Sequence, residues 1–182
     1  GTGVFDNSPG FAAGLVTVQF DPDYASNGKF YTVHTELGGN PSEYREAVLY
    51  EWHDTNIANS TFEGTRALLL VVQYSDNIHP MGDILFDPRA TDPSHPDWRR
   101  MYISSGDGGA GESTTPSIRN QNQMLGNLLG KVLRILPSAT GTSGSYAIPA
   151  DNPFTGPAYS PGARSEVYAY GFRNPHRMSW DV

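Results

Sequence analysis

The sequence predicts an all-β fold made of short antiparallel strands joined by turns, and three observations support this. The 182 residues include 20 glycines and 14 prolines, well above the usual combined share of about 12% for these turn-forming residues. Aromatic side chains make up 12% of the chain, and they suit pleated, half-buried surfaces better than long helices. Apolar residues fall in short runs of alternating polarity, which excludes a helical bundle or a coiled coil.

The first predicted strands form a hairpin. Residues 15–20 alternate in polarity, and residues 30–35 alternate again after a turn rich in Asp, Pro, Asn and Gly. The apolar runs 47–52 and 67–74 follow, separated by small polar residues, and their lengths suit strands rather than helices. The first half of the chain therefore predicts four consecutive strands.

The second half predicts another hairpin and two further strands. Residues 82–86 and 100–104 form the hairpin, joined by a polar loop rich in proline. Residues 121–130 could begin a helix, but two glycines weaken it, and residues 131–136 are predicted as a strand. Residues 166–171 alternate in polarity and predict the last complete strand.

Two segments of the chain repeat each other. Phe20-Asp21-Pro22 and Phe86-Asp87-Pro88 each end one strand and lead to another, with the two aspartates 66 residues apart, and residues 179–182 resemble a third partial copy. Repeated four-stranded units are typical of β-propeller blades, which bury their faces only against neighbouring blades. We therefore expect one partial propeller domain over residues 1–182, truncated before ring closure, and no second domain. A small β-sandwich with a chance repeat is the alternative.

The charge balance argues against a nucleic-acid partner. The chain carries 12 Lys and Arg against 19 Asp and Glu, a net charge of −7, and it has no basic stretch to neutralise a phosphate backbone. The longest aliphatic run, residues 67–72, is far shorter than the roughly 18 residues that predict a membrane span. The absence of cysteine excludes disulfides, thiolate metal sites and a cysteine nucleophile.

A few polar residues are candidates for a functional site. His79 lies in a loop before a predicted strand, where a neutral imidazole could act as a general base, or could simply bond to a turn. Arg173 and Asn174 follow a predicted strand and offer a guanidinium and an amide suited to an anionic ligand, with a structural turn as the alternative. Residues 106–112 have the glycine spacing of a phosphate-binding loop, but Glu112 stands where that loop needs lysine. Nucleotide binding is therefore excluded there.

The chain resembles the soluble quinoprotein glucose/sorbosone dehydrogenase family through six landmarks in the family's order. They are residues 14–28, His79 with Gly82, Gly106-Asp107-Gly108-Gly109, and residues 130–135, 148–154 and 168–175. The resemblance implies a six-bladed β-propeller that uses pyrroloquinoline quinone (PQQ) to oxidise an aldose sugar or a related polyol. It also implies an external electron acceptor and a periplasmic or secreted protein.

The resemblance implies roles for four residues. His79 falls on the family's catalytic histidine, which takes the proton from the anomeric hydroxyl of the sugar as hydride passes to the quinone, leaving a lactone. Arg173 and Asn174 match the pair that contacts the cofactor, and Glu112 falls near a position that contacts the substrate. The family's activating Ca²⁺ is implied to have its ligands outside this chain, so no metal-binding residue is assigned.

The chain departs from the family pattern at four positions. Pro80 and Met81 stand before Gly82 where the family often has glycines, Ile78 replaces an acidic residue, and Ala12 replaces a glutamine of the glucose-oxidising branch. These departures leave the identity of the sugar open. They also leave two other functions open, a non-catalytic propeller module that binds carbohydrate or protein and a lactone-hydrolysing propeller with a catalytic Ca²⁺.

Overall fold

Two antiparallel sheets follow one another along the chain. The structure is a computed structural model, and it describes residues 14–37, 45–137, 144–159 and 161–181. Within these ranges, the few helices are too short to cross a membrane.

The first sheet is a four-stranded meander in sequence order, β1-β2-β3-β4. Its strands are β1 (Leu15–Phe20), β2 (Lys29–Leu37), β3 (Arg45–Asp54) and β4 (Gly64–Tyr74). A short helix, α1 (Tyr24–Asn27), fills the turn between β1 and β2 and ends at Gly28 in the left-handed conformation. All four strands predicted in the first half of the chain are confirmed.

The second sheet begins with β5 (Met81–Phe86), β6 (Met101–Ser105) and β7 (Lys131–Pro137) in order. Beyond β7, two strands pair with different parts of its free edge. The short β8 (Tyr146–Ala147) pairs with the end of β7, and β9 (Val167–Tyr170) pairs with its beginning. The predicted strands are again confirmed. The remaining helical segments are α2 (Pro116–Arg119) and three 3₁₀ turns at Ala110–Glu112, Gln121–Gln123 and Pro157–Tyr159.

The two sheets share one apolar core. The first sheet contributes one face of alternating side chains, and the second sheet contributes the face opposite it, as expected for neighbouring blades. The ring of Tyr31 on β2 contacts the ring of Phe86 on β5, with centroids 5.8 Å apart. Core residues with no exposed surface are Tyr31, Val33, Ala47, Leu49, Met81, Ile84, Met101, Ile103, Leu133, Ile135 and Val167.

The sequence repeat is also a structural repeat. In both copies the aspartate side chain closes the same turn, with Asp21 Oδ1 accepting the N–H of Asp23 and Asp87 Oδ1 accepting the N–H of Arg89, each at 2.9 Å. Gly28, directly before β2, and Arg99, two residues before β6, both have positive φ angles, of 62° and 56°. A left-handed backbone is ordinary for glycine and unusual for arginine, so something must hold Arg99 in place.

A buried ion pair holds Arg99 and joins the two sheets. Its guanidinium donates through Nε and Nη2 to the carboxylate of Asp21, at 2.8 to 3.0 Å, although the residues are 78 positions apart. Tyr31 donates its hydroxyl to the same carboxylate at 2.8 Å. The Asp21 and Arg99 side chains are only 0% and 9% exposed, so this Asp21–Arg99 pair is shielded from solvent.

The predicted third copy is not a strand in the structure. Residues 171–181 have no helix or strand, yet they run beside β5. The N–H of Met178 donates to Asp83 Oδ2 at 3.2 Å, and Thr17 Oγ1 on β1 donates to Asp83 Oδ1 at 3.4 Å. One aspartate on β5 therefore bonds the first strand of the first sheet and the segment that follows β9.

Candidate active site at one rim of the sheets

Every second connection of an antiparallel meander returns to the same end of the sheet. Three connections therefore meet at one end, residues 75–80 before β5, residues 106–130 between β6 and β7, and residues 171–175 after β9. We call these the rim loops. This topology places His79, Glu112 and Arg173 at one end of the sheets, although they are far apart in the sequence.

Backbone hydrogen bonds connect the rim loops to one another. The N–H of Gly108 donates to the carbonyl of His79 at 3.0 Å, and the N–H of Asp107 donates to the carbonyl of Arg173 at 2.8 Å. A Cβ atom on Gly106 would lie 2.4 Å from the His79 carbonyl oxygen, so only glycine permits this approach. The close contact fixes the backbone of His79, whose φ of 55° lies in the left-handed region.

His79 forms a hydrogen-bonded pair with Asp107. Its Nδ1 lies 2.7 Å from Asp107 Oδ1, and the two side chains are 11% and 1% exposed. An ionised carboxylate only accepts hydrogen bonds, so Nδ1 carries the proton of the neutral ring and Nε2 carries the lone pair. Among the described residues, Nε2 has no hydrogen-bond partner. A histidine ring held in one tautomer and one orientation can act as a general base.

The glycine-rich segment wraps around the carboxylate of Asp107. The N–H of Gly109 donates to Oδ1 at 3.1 Å and the N–H of Gly111 donates to Oδ2 at 2.9 Å. Gly108 and Gly109 have φ angles of 62° and 85°, which allow the chain to turn back on its own side chain. The backbone donors of this loop therefore serve an internal carboxylate.

Arg173 lies against the same loop. A Cβ atom on Gly111 would lie 3.3 Å from Arg173 Nε and 2.9 Å from Asp107 Oδ2, so the guanidinium passes directly over the Asp107 turn. Arg173 Nη2 donates to Glu112 Oε1 in an ion pair whose side chains are 57% and 53% exposed. The structure thus brings together His79, Glu112 and Arg173 around Asp107.

Asn174 stands apart from this cluster. It is exposed, and its backbone carbonyl accepts the N–H of His176 at 2.8 Å. Within the part of the chain that the structure describes, its side chain makes no hydrogen bond to the other three predicted site residues. The placement of Asn174 on a rim loop follows the sequence, and its contact with a ligand stays a prediction.

A buried lysine supports the rim loops from below. Lys131 begins β7, has no exposed surface, and donates from Nζ to the carbonyls of Gln121 (3.2 Å), Asn122 (3.0 Å) and Leu129. Burial lowers the pKa of its ammonium group to about 8. The carbonyl of Asn122 also accepts the N–H of Gly171 at 2.9 Å, so this one carbonyl bonds both the lysine and the rim loop after β9.

The departures from the family pattern have separate structural outcomes. Met81 opens β5 and is fully buried in the core, so it packs between the sheets. Pro80 is half-buried and offers its carbonyl to the N–H of Gly106 at 3.0 Å. Ile78 is half-buried directly before His79. Ala12 lies outside the described residues.

The described residues offer no preformed metal centre at the rim, because no group of three or more His, Asp or Glu side chains is placed to hold a metal ion. A cavity of about 600 Å³ lies at the opposite end of the second sheet, lined by His95, Trp98 and Tyr146 among others. His79, Glu112 and Arg173 do not line this cavity, so it is separate from the candidate site.

Sequence reasoning alone did not assign a role to Asp107. Asp107 lies in the Gly-Asp-Gly-Gly segment, and the sequence marks it only as an acidic residue among glycines just after a strand. An aspartate there can accept hydrogen bonds from the N–H groups of its own loop. Its partner in the other loop, His79, is 28 residues away and could be identified only from the structure.

Comparison with known proteins identifies the family. The profile of the family described as Glucose / Sorbosone dehydrogenase matches residues 3–182. The HIPL2 protein of Arabidopsis thaliana is 26% identical over 92% of this chain and 28% of its own length. The Hedgehog-interacting protein of Homo sapiens is 27% identical over 92% of this chain and 22% of its own length. The chain therefore spans only about a quarter of these relatives.

Solved structures show the same fold. The soluble aldose sugar dehydrogenase of Escherichia coli, in its apo-form, matches 91% of this chain and 41% of its own length, with a TM-score of 0.63 and 20% identity. A glucose dehydrogenase matches 91% of this chain and 39% of its own length, with a TM-score of 0.62 and 23% identity. The prediction of part of a β-propeller is confirmed. The chain belongs to the glucose/sorbosone dehydrogenase family.

Proposed function

We propose that this chain supplies the base and part of the cofactor contacts of a PQQ-dependent dehydrogenase that oxidises an aldose or a related polyol. The observation that carries this proposal is the His79–Asp107 pair, 2.7 Å long, formed on the loop that the Arg173 side chain crosses at Gly111. Family membership supports the sugar dehydrogenase fold, while the cofactor, the sugar and the activity are part of the proposal.

The residues at the rim fit the chemistry of PQQ, which is a quinone bearing carboxylates. Arg173 offers a half-exposed guanidinium, and such a group bonds well to carboxylate or carbonyl oxygens. PQQ, when bound, supplies the quinone that accepts hydride from the substrate. Asn174 is proposed as a second contact on the same loop. Ca²⁺ is not assigned to residues of this chain.

His79 is the proposed proton acceptor. Its Nε2 would take the proton of the anomeric hydroxyl while the hydride leaves the anomeric carbon for the quinone. The sugar would thereby become a lactone. Asp107 holds the ring in the tautomer that leaves Nε2 unprotonated, and it would stabilise the imidazolium that forms. Glu112 is proposed to accept a hydrogen bond from a sugar hydroxyl. We propose a periplasmic or secreted protein that passes its electrons to an external acceptor.

The test is dye-linked oxidation of a panel of aldoses by the purified full-length protein, with and without PQQ and Ca²⁺. We expect PQQ-dependent activity that falls by about 10²- to 10⁴-fold in His79→Asn, the usual range for loss of a general base. His53→Asn is the matched control, because His53 is exposed on β3 outside the rim loops. Absence of both PQQ binding and PQQ-dependent oxidation would refute the proposal.

A non-catalytic binding module is the second candidate function. It is favoured by the Glu112–Arg173 ion pair, which already neutralises the cation proposed to contact the cofactor. The similarity to the Hedgehog-interacting protein also supports it. Binding of a carbohydrate or protein ligand that is unaffected by PQQ and by His79→Asn would favour this candidate over the dehydrogenase.

A further inference from the structure

The Glu112–Arg173 ion pair joins two rim loops at the candidate site. Glu112 ends the 3₁₀ turn that follows the Asp107 turn, and Arg173 follows β9, so the two residues are 61 positions apart. Both side chains are more than half exposed, which leaves the pair open to solvent and to a ligand. The contact therefore lies at the surface of the same loop whose Asp107 holds His79.

The pair occupies the guanidinium with a carboxylate from the protein itself. Arg173 passes over Gly111 and donates to Glu112 through Nη2, one of the groups that would otherwise donate to an anionic ligand. A carboxylate of the ligand and the carboxylate of Glu112 have the same charge and draw on the same guanidinium. The presence of one therefore weakens the contact of the other with Arg173.

We propose that Glu112 is an affinity-determining residue that competes with anionic ligands for Arg173. This inference rests on the proposed function, because it concerns the contact between Arg173 and the carboxylates or quinone oxygens of PQQ. An anionic ligand must displace Glu112, whereas an uncharged sugar can bond to the ion pair without breaking it. The negatively charged side chain therefore weakens binding of the cofactor more than binding of the substrate.

The exposure of the pair sets the size of the effect. Exposed ion pairs contribute little because water and salt screen them, so release of Arg173 is expected to tighten PQQ binding only about two- to fivefold. Added salt should reduce this difference in PQQ affinity, because it screens the Glu112–Arg173 pair of the wild type, which Glu112→Gln lacks.

The experiment measures the dissociation constant of PQQ by quenching of tryptophan fluorescence in four proteins: the wild type, Glu112→Gln, Arg173→Gln and the double variant. We expect Glu112→Gln to bind PQQ two- to fivefold more tightly and Arg173→Gln to bind it more weakly. The double variant should match Arg173→Gln, because without the guanidinium there is nothing to compete for. Glu63→Gln is the charge-matched control, since Glu63 lies between β3 and β4, away from the rim loops.

The outcomes separate this inference from the proposed function. Binding that is equal in the wild type and Glu112→Gln overturns the competition and leaves the dehydrogenase proposal intact. An equal gain in the Arg173→Gln background also overturns it, because the effect would then be simple charge repulsion. If none of the four proteins binds PQQ, the proposed function itself fails and the competition fails with it.

Discussion

Replacement of Arg99 by methionine tests the energetic link between the two sheets. The substitution keeps most of the aliphatic length of the side chain and removes the three contacts of 2.8 to 3.0 Å to the Asp21 carboxylate. That carboxylate has no exposed side-chain surface, so water cannot replace the lost donors. Breaking a buried pair from one side leaves an uncompensated charge, which typically costs about 3–5 kcal/mol.

This cost is large enough to measure by heat or urea. A chain of this size loses about 2–4 °C in melting temperature for each kcal/mol, so Arg99→Met should melt about 6–20 °C below the wild type. The matched control is Arg177→Met, because Arg177 is exposed and donates only to the backbone carbonyl of His176. No buried charge is stranded there, so that change should alter stability by about 0.5 kcal/mol or less.

A double variant separates the charge effect from general damage. Asp21→Asn combined with Arg99→Met removes the stranded charge, and the asparagine oxygen can still accept the N–H of Asp23. We therefore expect the double variant to be more stable than Arg99→Met alone, as measured by urea unfolding. If Arg99→Met costs no more than Arg177→Met, or if the double variant loses the sum of the two single losses, the buried-pair argument is wrong.

Three further predictions concern the rim. Burial lowers the pKa of Lys131 from 10.5 to about 8, so the unfolded chain binds this proton more tightly than the folded chain does. The free energy of unfolding of the wild type should therefore rise between pH 8 and 10.5 relative to that of Lys131→Met. The same pH dependence of this free energy in the two proteins would contradict the prediction. Asp107→Asn should lower the proposed PQQ-dependent turnover about 10²- to 10⁴-fold with little change in the KM for sugar. The reason is that no carboxylate then keeps the proton of the His79 ring on Nδ1. An unchanged turnover in steady-state kinetics would mean that the His79–Asp107 pair has no role. Gly106→Ala should lower the melting temperature by several degrees, since its methyl would lie 2.4 Å from the His79 carbonyl, and an unchanged value would mean that the rim loops separate easily.

Local patterns in the sequence predicted the strands well. Alternation of polarity located β1 and β2, and the Phe-Asp-Pro repeat located the equivalent turns at Asp21 and Asp87. These features depend on neighbours along the chain, so they are visible in the sequence. The weak third copy after β9 has no partner strand among the described residues, and it does not form a strand of its own.

The contacts that define the site could not be predicted in the same way. His79 meets Asp107 across 28 residues and Glu112 meets Arg173 across 61, and each contact depends on how two loops return to one end of the sheets. The left-handed backbone of His79 is also set by the close approach of Gly106 rather than by a local preference of histidine. The residue types at the site were therefore evident from the sequence, while their pairing required the fold.

The return of alternate connections to one rim separates the part of the molecule that determines stability from the part that determines chemistry. The core residues and the Asp21–Arg99 pair lie within or below the sheets, whereas His79, Glu112 and Arg173 lie on loops. Substitutions of exposed rim side chains such as Glu112 and Arg173 can therefore change what the surface recognises without disturbing the strands. Such a division lets one architecture diverge in function, which agrees with a set of similar proteins whose names describe both sugar oxidation and the binding of another protein.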